Sequence, residues 1–138
     1  MVLQGFAGIP ISIAKSDPDQ NPGQQWTRCR HWLLAALHHV QGGIAEEDII
    51  AALATGQLQL WSSGDAAIIT EIVEYPRLKA VRLCLVGGQI NGVRKLEHEI
   101  CDWARKLGCK RVEGGGMQSW VKAMHGYLDV GPLFHKHL

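Results

Sequence analysis

Two hydrophobic periods organise the chain. Residues 58–61 (LQLW) alternate apolar and polar, as a half-buried strand does, and Ser62-Ser63-Gly64-Asp65 then supplies turn chemistry. Residues 66–74 (AAIITEIVE) read as the returning strand, Tyr75-Pro76-Arg77 turns again, and residues 78–86 form a third strand. Short links between three consecutive strands predict an antiparallel meander. The period then changes. After Gly87-Gly88, Val93, Leu96, Ile100, Trp103, Ala104 and Leu107 share one helical face, and Gly108 stands at its end. Residues 109–113 (CKRVE) read as a short strand. A right-handed crossover through the helix places it parallel to the third strand.

Upstream, Asn21-Pro22 suits a helix start. Trp26, Cys29, Trp32, Leu33, Ala36, Leu37 and Val40 form the stripe of that helix, which Gly42-Gly43 ends. A second, short helix opens on Glu46, Glu47 and Asp48, buries Ile49, Ile50 and Leu53, and stops at Gly56. Downstream, the triple glycine 114–116 leads into a last short helix with Met117, Trp120, Val121 and Met124 inward. Gly126 ends it, and the terminal LFHKHL suits a final strand.

Residues 1–25 differ from the rest. Val2, Leu3, Phe6, Ile9, Ile11 and Ile13 are apolar, yet Gly5, Gly8 and Pro10 break any helix, and residues 16–25 (SDPDQNPGQQ) are turn-rich. This is an extended arm and linker, followed by one domain at 26–138. The arm either lies on its own domain or docks on a neighbour. Trp26 and Trp61, expected to be partly exposed, join the arm's six apolar residues as interface candidates.

Composition narrows the function classes. With 138 residues, 46% hydrophobic and 20% charged, the chain has material for a packed core. A formal charge of +1 and no basic run give no electrostatic case for nucleic acid or anionic membrane. Four cysteines without a C-x-x-C pair suit a reduced, cytoplasmic setting. No apolar run approaches a membrane span, and the first residues lack the basic start of a signal peptide.

Candidate chemistry is sparse. Glu71 is the weak candidate for a general base, although carboxylates on strands mostly face water. Arg94 and Lys95 reach toward phosphate or simply line a polar helix surface. His98 with Cys101, and Cys29 with His31, lack the four converging ligands of a zinc site, so no metal is expected. There is no nucleophile elbow.

The order helix, helix, strand, strand, strand, helix, strand, helix, strand resembles the GNAT superfamily of N-acetyltransferases over about residues 44–138. Trp103-Ala104, Gly108-Cys109, Trp120 and Gly126-Tyr127 are similar to phrases of the small GNAT-like proteins encoded by tailed phages and prophages. The resemblance implies an α+β fold: an antiparallel meander, a strand-helix-strand crossover and helices on the faces. In active members, acetyl-CoA sits where the third strand meets the crossover helix, and a substrate amine attacks the thioester directly. A carboxylate or water takes the amine proton, and a Tyr on the last helix often protonates the thiolate. The corresponding cofactor residues here are Val86, Gly87, Gly88, Gln89 and Gly92.

The chain departs from that pattern twice. Position 94 is Arg where the phosphate loop has a second small residue, and the last helix carries Val121-Lys122-Ala123-Met124 where the Tyr belongs. The expectation is therefore a non-enzymatic GNAT-fold protein of a tailed-phage particle. It would bind its own copies or other virion proteins, without a cofactor, made in the host cytoplasm and carried in the virion. The alternative is an acetyl-CoA-dependent N-acetyltransferase with an atypical loop.

Overall fold

The computed structural model of the protein describes residues 22–37, 43–115, 128–129 and 133–138. The arm residues Val2, Leu3, Phe6, Ile9, Ile11 and Ile13, and the expected last helix around Trp120, lie outside the described residues. The elements run α1 (Pro22–Ala36), α2 (Glu46–Thr55), β1 (Leu58–Ser62), β2 (Ala66–Glu74), β3 (Lys79–Gly88), α3 (Ile90–Lys106), β4 (Arg111–Gly115), β5 (Leu128–Asp129) and β6 (Leu133–His137). The architecture is α+β. The strands form one mixed sheet in the order β1-β2-β3-β4-β6-β5. β1, β2 and β3 are antiparallel neighbours, and β4 runs parallel to β3 across the α3 crossover.

Two apolar layers sandwich the sheet. On one face Ile68, Ile72, Val81, Leu83 and Val112 meet Val93, Leu96, Ile100 and Ala104 of α3. On the other, Leu58, Leu60, Ala67, Ile69 and Leu85 meet Cys29 and Leu33 of α1 and Ile49 and Leu53 of α2. β2 alternates between the layers and is buried on both, so its near-continuous apolar run needs no polar side. Full burial of each such aliphatic side chain contributes about 1.5–3 kcal/mol.

β3 faces both layers and carries a β-bulge. Ile69 pairs with Leu85 and Thr70 with Leu83, so Cys84 is the extra residue. The bulge reverses which positions face which layer: Leu83 packs toward α3, whereas Leu85, two residues on, packs toward α1 and α2.

Local signals set the element ends. Asp48 accepts from the Ala45 N–H at 2.9 Å at the start of α2, and Gly56 takes the left-handed conformation at its end (φ 83°). The α1–α2 pair is tied at the surface. Arg30 grips Glu46 with two bonds of 2.9 and 2.8 Å, and the Trp26 indole N–H donates to the same carboxylate at 3.0 Å. Trp26 and Trp61, expected to be partly exposed, are buried at 8% and 3% exposure. The Trp61 indole lies edge-on to Trp103, with ring centroids 5.4 Å apart, and donates to Thr70 Oγ1 at 3.1 Å.

Candidate functional site

The start of α3 is the position that the sequence marks for a phosphate-bearing cofactor. β3 ends in Gly87-Gly88, Gln89 occupies the N-cap in an extended conformation without a side-chain cap bond, and the helix begins at Ile90. Among the described residues, nothing accepts from the N–H groups of Ile90, Asn91 and Gly92. A helix end with open N–H groups and a positive dipole favours negative charge.

The glycines around it, however, are required by the protein's own packing. A Cβ on Gly87 would lie 2.7 Å from the carbonyl oxygen of Trp32 and 2.8 Å from its Cβ. Gly88 has φ +104°, and a Cβ there would run into the backbone of Asp65 and Ala66. A Cβ on Gly92 would lie 3.0 Å from Asp65 Cγ and 2.8 Å from Ala66 Cβ, with Asp65 Oδ1 nearer still. All three glycines therefore exist so that α1 and the β1–β2 turn can approach the junction.

Asp65 is held in that position. Its carbonyl accepts from the Gln89 N–H at 2.8 Å, and Ser63 Oγ donates to its Oδ1 at 3.0 Å. A phosphate at the start of α3 would meet a carboxylate already standing against the first turn. Val86, Gly87, Gly88, Gln89 and Gly92 are thus brought together, but with an acidic neighbour and no glycine left over for a ligand. A pyrophosphate drawn to the open N–H groups of Ile90, Asn91 and Gly92 would stand beside the Asp65 carboxylate, like charge against like. Arg94 and Lys95 lie exposed further along the helix.

A second polar cluster crosses the middle of the sheet on the face opposite α3. Glu71, Arg82 and Glu113 occupy one register row of β2, β3 and β4. Both carboxylates are fully buried, and the Arg82 side chain is 18% exposed. Arg82 Nη1 approaches Glu71 Oε1 at 3.4 Å, and its Nη2 donates to Glu113 Oε2 at 3.2 Å. Tyr75 Oη donates to Glu113 Oε2 at 2.8 Å and accepts from Arg82 Nη2 at 3.1 Å. Arg111 completes the cluster: its Nε lies 3.4 Å from Glu113 Oε1, and its guanidinium sits 5.0 Å from the Tyr75 ring centre. Burial by itself pulls the Arg82 pKa down, but the bonds with Tyr75 and Glu113 outweigh it, and the net shift is upward.

This placement changes the reading of Glu71. It does not lie on a solvated strand face, because a cross-strand arginine supports it inside the sheet. It is also a poor general base, since an acceptor amine cannot reach a carboxylate with no exposure. The cluster holds two negative and two positive groups and is charge-balanced, which suits a structural network.

Sequence alone assigns Asp65 and Tyr75 to turns and gives Arg82 and Glu113 no role. One signal was present: a lone arginine within the apolar run of β3 (KAVRLCLVGG) needs buried carboxylates nearby.

The remaining candidates stay apart. His98 lies 3.9 Å from Asp102 on the exposed side of α3, while Cys101 is buried and donates to Glu97 Oε1 at 3.1 Å. Cys29 is buried, and the His31 ring lies tilted against Trp32, with ring centroids 4.5 Å apart. Among the described residues, no three His, Cys, Asp or Glu side chains converge as a metal site, and no helix is long and apolar enough to cross a membrane. The chain matches no protein-family model, no curated protein and no solved structure.

Proposed function

We propose that the protein is a non-enzymatic GNAT-fold structural or assembly component of a tailed-phage particle, binding its own copies or other virion proteins. The observation that carries this reading is the contact of the Asp65 carboxylate with Gly92. It turns the place where an acetyltransferase would cradle pyrophosphate into an internal joint. The strand order, the parallel β3–β4 pair and the α3 crossover support a GNAT-like arrangement. The sequence phrases around Trp103 and Cys109 support the phage connection. With Trp26 and Trp61 buried, the interface falls to the apolar residues Val2, Leu3, Phe6, Ile9, Ile11 and Ile13 of the arm. Sedimentation of the full chain against a chain starting at Gln20 tests this. Assembly of the full chain alone supports the reading, and identical monomers that join no larger particle overturn it.

A second reading, an acetyl-CoA-dependent N-acetyltransferase with an atypical loop, is favoured by one feature. The N–H groups of Ile90, Asn91 and Gly92 carry no cap, and β3 runs on to Gly88 although its described pairing with β4 ends at Leu83. A helix end beside diverging strands is a place where a ligand can enter.

A further inference from the structure

We infer that Asp65 is a built-in counter-anion that holds the start of α3 closed to phosphate ligands; this deepens the non-enzymatic reading and rests on it. The first turn of α3 presents three N–H groups without a described acceptor, and the end of the helix carries partial positive charge. The protein places its own carboxylate there. Three contacts fix the position. The Gln89 N–H binds the Asp65 carbonyl, Ser63 Oγ binds the Asp65 carboxylate, and the Ala66–Gly88 pairing locks the turn to the end of β3. Gly92 has no Cβ, which leaves room for the carboxylate against the helix.

Charge and space both follow from this. A unit negative charge within one helical turn attracts the dipole and repels any incoming polyanion. Because Asp65 is solvent-exposed, salt screens the repulsion, and the effect is strongest at low ionic strength. The same position with a neutral side chain keeps the turn and the open N–H groups but lacks the repulsion. Asp65 therefore adds a charge that rejects anions to the close packing of the junction.

The test uses inorganic pyrophosphate as the probe and three full-length proteins: wild type, Asp65→Asn and Asp65→Ser. Melting temperature and calorimetric titration are read at low and high salt. In low salt, both variants are expected to melt below wild type without the probe and to recover with it. Their affinity for pyrophosphate should exceed that of wild type at least five-fold and should lose most of that gain at high salt. Variants that fold only with pyrophosphate present also support the inference. It is overturned if pyrophosphate affects all three proteins equally, if it affects none, or if the variants fail to fold with and without it. A separate wild-type titration with CoA distinguishes the two readings: tight CoA binding removes the non-enzymatic reading, whereas unresponsive variants remove only the role of Asp65.

Discussion

Arg82 and Glu113 face each other across the parallel strands β3 and β4, with Nη2 3.2 Å from Oε2, on a sheet face where Glu113 has no solvent exposure. Glu71 closes the row from the other side at 3.4 Å. One guanidinium therefore supports two buried carboxylates. Replacing Arg82 by Met leaves both without it, and removal of one partner from a buried ion pair costs about 3–5 kcal/mol. Urea denaturation of Arg82→Met is expected to show a loss of that order. A loss under about 1 kcal/mol, the scale of a surface pair, would mean that the row is not a structural network.

The junction glycines yield a coupled prediction. Gly92→Ala drives a Cβ into the Asp65 carboxylate and Ala66, and overpacking of this kind costs about 1–3 kcal/mol. Asp65→Gly in the same chain removes half of the collision, so the double variant should lose less than the sum of the two single changes. A double-mutant cycle by chemical denaturation measures the coupling. Strict additivity would show that the contact is not what requires glycine at position 92.

Thr70 is the hub of a buried side-chain chain. It accepts from the Trp61 indole at 3.1 Å and donates to Gln59 Oε1 at 2.8 Å, while Gln59 Nε2 donates to the Gly56 carbonyl at 3.0 Å. Thr70→Val keeps the shape but strands a buried donor and a buried acceptor. Each orphaned group costs about 1–3 kcal/mol. Thermal unfolding of Thr70→Val should show that loss, with a shift in tryptophan emission. Unchanged melting would contradict the network.

Cys101 predicts a pH dependence. Burial, followed by the hydrogen bond to Glu97, pushes its thiol from an ordinary 9.0 up to about 12. Above pH 9 the unfolded thiol ionises while the folded one keeps its proton, so the unfolded state binds fewer protons. Stability from this group is complete below pH 9 and falls as pH rises toward 12. Between pH 8 and 11, wild type should lose stability relative to Cys101→Ser, which does not titrate in that range. Parallel curves for the two proteins would refute the shift.

Much of the fold is legible in the sequence because its signals are local. Turn residues bracket β2 at Ala66 and Glu74, Gly56 ends α2, and the helical stripe of α3 requires a crossover to a parallel β4. The candidate site is less legible because its causes are distant. Gly92 reads as a phosphate-loop glycine until Asp65, on another element, is seen against it. Glu71 reads as a solvated carboxylate until Arg82 and Glu113 arrive from two further strands. Trp61 reads as partly exposed until Trp103 and Thr70 enclose it. The bulge at Cys84 has no local signal either, because it is defined only by how Leu83 and Leu85 pair with Thr70 and Ile69 on β2.

Under the proposed non-enzymatic reading, the start of α3 is a structural joint and takes no acetyl-CoA. Isothermal titration of the full-length protein with acetyl-CoA tests it most directly. The predicted result is no saturable heat at millimolar ligand. A one-site isotherm with micromolar affinity would contradict it.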